Sequence, residues 1–173
     1  MTSQHSEATP LSHPVTESFA GSALFDRTFD EGMSLVQETA TYLEGRGRIE
    51  SRDLPRKAAT LYAGESLRLT TRLMQAASWL LVQRAVHDGE MDAEDATSER
   101  YRLGSKEICF GGQKEGLENL PAKFLDLLAR SETLYCRIAR LEDGLLKAAA
   151  NAGARAHIDR LEQAFESENQ SQA

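Results

Sequence analysis

Apolar residues recur along this chain at intervals of three and four, and no stretch alternates with period two for long enough to make a strand. The pattern is that of helices burying one face. A first segment runs from about Leu24 to Glu44, with Phe25, Phe29, Met33, Val36, Ala40 and Leu43 on one stripe. Gly45-Arg46-Gly47 follows, and glycine in a left-handed cap is the expected stop.

Pro55 and Gly89 bracket the second segment, at the positions favoured at a helix start and just past a helix end. A helix of ~33 residues there spans ~50 Å. Placing its residues at about 100° intervals puts Ala58, Tyr62, Leu69, Leu73, Ala76 and Leu80 on one face. Leu67, Met74, Leu81 and Ala85 fall roughly opposite. Two apolar faces must be covered twice, by two neighbouring helices or by a neighbour and a second subunit. Leu67, Met74, Leu81 and Ala85 are therefore candidates for a dimer contact or a second core face.

A short third helix is expected over Asp92 to Arg102, led by an acidic first turn. Gly104, Gly111, Gly112 and Gly116 then read as loop. The last long helix starts near Leu120-Pro121 and carries Phe124, Leu127, Ser131, Leu134, Ile138, Leu141, Leu145 and Ala148 on one stripe. Gly144 and Gly153 weaken it, yet Ile158, Leu161 and Phe165 resume the spacing. The C-terminal part is open to three readings: a continuation of that helix, a separate helix, or disorder until a partner covers it.

The expected architecture is all-α, a three-long-helix antiparallel bundle with a short extra helix, forming a homodimer. Residues 1–21, rich in Ser, Thr, His and Pro, read as a disordered N-terminal arm. Residues 22–150 make the helical bundle domain, and 151–173 a C-terminal extension, partly helical or disordered. There is no internal repeat.

Composition narrows the function. The chain of 173 residues suits one domain, and 27 acidic against 20 basic residues give a formal net charge of −7. Neutralising nucleic-acid phosphates needs a basic face, so no nucleic-acid partner is expected. No long apolar run and no signal-like N-terminus occur, so neither membrane insertion nor secretion is expected, and the cytoplasm is the default compartment. Cys109 and Cys136 are too few for a disulfide framework or a zinc site and read as reduced thiols.

Chemistry is hard to find. A di-iron bundle needs Glu-x-x-His pairs, and neither His87 nor His157 follows a glutamate at that spacing. The Gly111-Gly112-Gln113-Lys114-Glu115-Gly116 stretch lacks the Gly-Lys-Ser/Thr ending and the preceding strand of a phosphate-binding loop. Cys136 reads as a buried structural thiol, and His5 and His13 fall in the presumed arm. No catalytic residue, metal site or cofactor is expected.

Two charge clusters stand at opposite ends of the second helix. Arg46, Arg48, Arg52, Arg56 and Lys57 gather before it, and Asp88, Glu90, Asp92, Glu94, Asp95 and Glu99 after it. Helix-dipole matching is the simpler reading of both; a pair of docking patches of opposite sign is the alternative. Between the two apolar faces lies a stripe of Arg68, Arg72, Gln75, Trp79 and Gln83. Trp beside Arg is the composition of a protein-binding hot spot, which makes the stripe a candidate partner site. The rival reading places Trp79 in the core or a dimer interface.

Several stretches together carry a resemblance. They are Leu24-Phe25-Asp26-Arg27-Thr28-Phe29, Glu65 to Gln75 continuing into Ala77 to Val86, Gly89-Glu90-Met91, Leu120-Pro121, and Ser131-x-x-Leu134-Tyr135-x-Arg137-x-x-Arg140-Leu141. The chain resembles the RcdA family of α-proteobacteria, regulators of CtrA degradation, over roughly residues 24–142. The resemblance implies a homodimeric three-helix bundle without enzymatic activity, serving as an adaptor for the ClpXP protease in cell-cycle control. It implies a protease primed by a CpdR-like response regulator, cargo such as CtrA brought through a PopA-like effector, and recruitment to a cell pole. A helical scaffold unrelated to proteolysis is the alternative from the residues alone.

Overall fold

The computed structural model describes residues 22–112 and 115–170, with side chains as far as residue 163. The presumed arm 1–21, Gln113-Lys114, the side chain of Phe165 and residues 171–173 lie outside the described residues. Among the described residues there are α-helices, short 3-10 turns and no strand.

Helix α1 spans Ala23–Glu44, opened by Ser22, whose hydroxyl accepts the Phe25 N–H at 3.2 Å. Its buried line is Phe25, Thr28, Gly32, Leu35, Thr39 and Tyr42, one position away from the apolar stripe read in the sequence. Phe29, Met33, Val36 and Leu43 pack on the flank of the core, and Ala40 is exposed. The shift has a steric cause: a Cβ on Gly32 would stand 2.7 Å from Leu80 Cδ1, so the glycine sets how closely α1 lies on its neighbour.

The chain stops at Gly45 with φ −100°, not in the left-handed region, and resumes at once as α2, Arg46–Glu50. Gly47 is needed for space, since a Cβ there would meet Tyr42 and the Tyr62 hydroxyl at 2.7 Å. A 3-10 turn over Ser51–Asp53 leads to Pro55, the cap of α3, Arg56–His87. Gly89 beyond its end takes φ +73°. The face Ala58, Tyr62, Leu69, Leu73, Ala76 and Leu80 is buried throughout.

Residues 88–121 cross back. The expected helix over Asp92–Arg102 reduces to α4, Ala93–Ala96, and a 3-10 turn at Glu99–Tyr101. Thr97 turns its hydroxyl onto Glu94 O at 2.7 Å, and Ser98 is extended, so the backbone leaves the helix there. The glycine-bearing stretch read as loop contains α5, Lys106–Phe110, held by the fully buried Cys109.

Helix α6, Ala122–Gln170, runs 49 residues without a break, so 151–170 continues the helix. Phe124, Leu127, Ser131, Leu134, Ile138 and Leu145 are buried, and from Gly153 to Gln163 every residue is exposed. At 1.5 Å per residue the last three or four turns of described side chains project ~15–20 Å past the packed part.

The three long helices touch pairwise around one core. Asp26 meets Arg84 at 3.7 Å, whereas Gly47 lies against Tyr62, so α1 is antiparallel to α3. Glu31 pairs with Arg137, and Glu38 with Lys123 and Arg130, so α1 is antiparallel to α6 as well. It follows that α3 and α6 are parallel, with Tyr62 4.3 Å from Phe124 and Arg72 3.4 Å from Ser131. The α3–α6 pair thus departs from the antiparallel bundle expected, while α1 is antiparallel to both. Parallel neighbours need a return connection as long as the helix, and residues 88–121 supply it.

Candidate interaction surface

The crossover pairs much of its backbone in short turns, and the groups those turns leave over take partners from the helices it covers. The stripe on α3 provides them. Arg68 Nη1 donates to Ile108 O at 2.6 Å, and Arg72 Nε donates to Cys109 O at 2.7 Å. Gln75 Oε1 accepts the Gly104 N–H at 2.9 Å. From α6, the Tyr135 hydroxyl donates to Gly104 O at 3.0 Å, and Glu142 Oε1 accepts the Leu103 N–H at 2.6 Å. Lys106 lies 3.6 Å from the other Glu142 oxygen.

Arg72, Trp79 and Gln83 are buried within the single chain, and Arg68 and Gln75 are half-buried. Arg68, Arg72 and Gln75 therefore meet the chain's own crossover, and Trp79 belongs to the core cluster. Composition alone cannot separate an internal role from a partner site, because an Arg and Trp patch serves an internal surface made of irregular backbone as well as it serves a partner. Glu142 was missed by sequence reasoning. Its signal was an acidic residue in register with Tyr135, Ile138 and Leu145, on the buried stripe of α6.

Among the described residues the second apolar face of α3 is largely uncovered. Leu67, Met74 and Leu81 are 67, 64 and 54% exposed, and Ala85 is half-buried. Their spacing of seven, with Gly64, Thr71, Ser78 and Ala85 alongside, gives a narrow seam on which a second helix can lie closely. Covering what remains exposed of these three side chains is worth about 1–2 kcal/mol each.

The chemistry at hand is sparse. Burial pushes the Cys109 thiol up, which keeps it protonated and unreactive. Tyr135 is raised by burial and then by its contact with Cys109. His87 and His157 are exposed. Among the described residues no group of three or more His, Cys, Asp or Glu is placed to hold a metal, and no helix is long and apolar enough to cross a membrane.

Fold and surface thus define an all-α protein whose prominent exposed feature is an apolar helix face left uncovered among the described residues. Residues 16–165 match the family described as "Protein of unknown function (DUF1465)". Among solved structures the chain is similar to RcdA from Caulobacter crescentus CB15, with 52% identity over 75% of this chain and 96% of that one and a TM-score of 0.61. No curated protein matches it. The chain belongs to the DUF1465 family and is a relative of RcdA.

Proposed function

We propose that this protein is a non-enzymatic adaptor that tethers cargo to the ClpXP protease. The observation that carries the reading is the 52% identity to RcdA across 96% of that chain. The bare seam of Leu67, Met74 and Leu81 supports it, because a protein acting by contact needs surface to spare. In this reading the seam joins two copies into a homodimer. A CpdR-like response regulator primes the protease, a PopA-like effector joins the complex, and CtrA-like cell-cycle regulators are the cargo, in the cytoplasm and at a cell pole.

Tethering replaces a bimolecular encounter by an intramolecular one, so binding energy alone accelerates degradation. In an assay of purified ClpXP, the CpdR-like regulator and a CtrA-like cargo with its effector, adding this protein is expected to shorten the cargo half-life. The effect should be about tenfold or more at sub-saturating cargo and vanish at saturation. Equal half-lives with and without it, alongside a pull-down that returns neither protease nor regulator, would leave the helical scaffold as the better account.

A further inference from the structure

Five cations, Arg46, Arg48, Arg52, Arg56 and Lys57, fall within twelve residues of a chain whose net charge is −7. Dipole matching places cations in the last turn of a helix and carboxylates in the first. At the far end of α3 that rule is obeyed: its last turn holds Arg84 and His87, and the first turn of α4 holds Glu94 and Asp95. At the near end Arg48 obeys it, in the last turn of α2, and the start of α3 breaks it. The last turn of α1 contains no basic residue, the first turn of α3 contains no acidic one, and α3 opens on Arg56 and Lys57 at the pole that repels them. Dipole matching accounts for Arg48, Glu94 and Asp95 and leaves Arg56 and Lys57 unexplained.

Arg48, Arg52, Arg56 and Lys57 are exposed, and of the five cations only Arg46 is ion-paired among the described residues, with Glu50 at 2.6 Å. Glu50 also accepts the Tyr42 hydroxyl, which leaves Glu44 and Asp53 as the other acids of this stretch. Among the arginines stands Ile49, 64% exposed. One exposed isoleucine is ordinary; one set among unpaired cations makes a mixed apolar and basic surface. Arg56 and Lys57 also line a groove of about 860 Å³ that follows the first turns of α3 over Pro55, Ala58 and Leu61, and whose lining includes Glu115 and Glu118.

We propose that this end of the molecule docks an acidic segment of a partner protein, with carboxylates over Arg48, Arg52 and Arg56 and an apolar side chain against Ile49. A duplex or an anionic bilayer presents charge uniformly and would press it against Glu115 and Glu118. A peptide need offer its carboxylates only to the arginines. The inference is independent of the protease reading, because the surface is assayed without protease or cargo.

The probe is a fluorescent Asp/Glu-rich peptide with one central Leu, titrated with the full chain at low and physiological salt and followed by anisotropy. Short duplex DNA and phosphatidylserine vesicles serve as rival ligands. Saturable binding that weakens with salt is expected, as is a loss of about tenfold or more in the Arg48→Glu/Arg52→Glu/Arg56→Glu variant. Arg52→Gln alone should lose about twofold, and Ile49→Ser about threefold with an unchanged salt slope. Arg140→Glu/Arg155→Glu/Arg160→Glu carries the same change in net charge on exposed positions and should lose less than twofold, about the effect of distant charge alone. Failure of the wild type to bind the peptide, equal losses in the two triple variants, no effect of Ile49→Ser, or preference for duplex or vesicle would each overturn the proposal.

Discussion

Glu38 on α1 receives hydrogen bonds from Arg130 and Lys123 of α6, and these two partners, Arg130 first, hold its carboxyl down at about 2. A carboxyl lowered on folding adds stability above its unfolded value of about 4.3 and loses it as pH falls towards the folded one. The Glu38→Gln variant is therefore expected to be less stable than wild type at neutral pH by at most about 1 kcal/mol, the ceiling for solvent-exposed pairs. The difference should close between about pH 4.3 and pH 2. Urea melts across that range check it; a gap that persists at pH 2 would assign the effect to packing. Residues of this kind are poorly legible in a sequence, because ion pairs between helices depend on a register that no local pattern encodes. The same holds for Arg72 and Glu142, whose burial follows from a crossover lying over them.

Among the elements, the long helices are readable in the sequence and the short ones are not. Periodicity over many turns averages out local exceptions, and so α1, α3 and α6 begin close to where the apolar spacing begins. Helices α4 and α5, of four and five residues, rest on one buried side chain each, Ala96 and Cys109, and carry no period. Glycines separate the two kinds of constraint. Gly144 lies in the interior of α6, where an added methyl would have nothing within 4 Å, so Gly144→Ala is expected to stabilise the fold by about 0.5–1 kcal/mol. Gly32→Ala, which drives a methyl against Leu80, should cost about 1–3 kcal/mol. Denaturant midpoints of the two variants, moving in opposite directions, test the pair; a shift of the same sign in both would show that helix propensity outweighs the α1 to α3 approach.

For the molecule as a whole the decisive relation is that α3 and α6 run parallel. A crossover must then occupy one side of α3, α1 and α6 cover the core side, and the remaining seam of Leu67, Met74 and Leu81 faces outward. Met74→Glu and Leu81→Glu are expected to leave the melting of the single chain within about 1 kcal/mol, because both positions are exposed within it. In the proposed dimer they bury a charge and should raise the dissociation constant by about tenfold or more. Sedimentation at several concentrations measures this. Unchanged mass in both variants, or a large loss of stability with mass retained, would remove the seam from the dimer.

The all-helical class, the three long segments and the two apolar faces of α3 are legible in the residues alone, because helix period and side-chain polarity are local properties that burial reads directly. The family resemblance is legible there too. Three outcomes were settled only by the folded chain: α3 and α6 are parallel, α6 continues as one helix, and Arg68, Arg72 and Gln75 hold the crossover while Leu67, Met74 and Leu81 stay exposed. They turn on which surfaces meet across long stretches of chain. Two stripes of similar size on one helix compete for the same neighbours, and the irregular backbone of the crossover selects the stripe that can satisfy its hydrogen bonds.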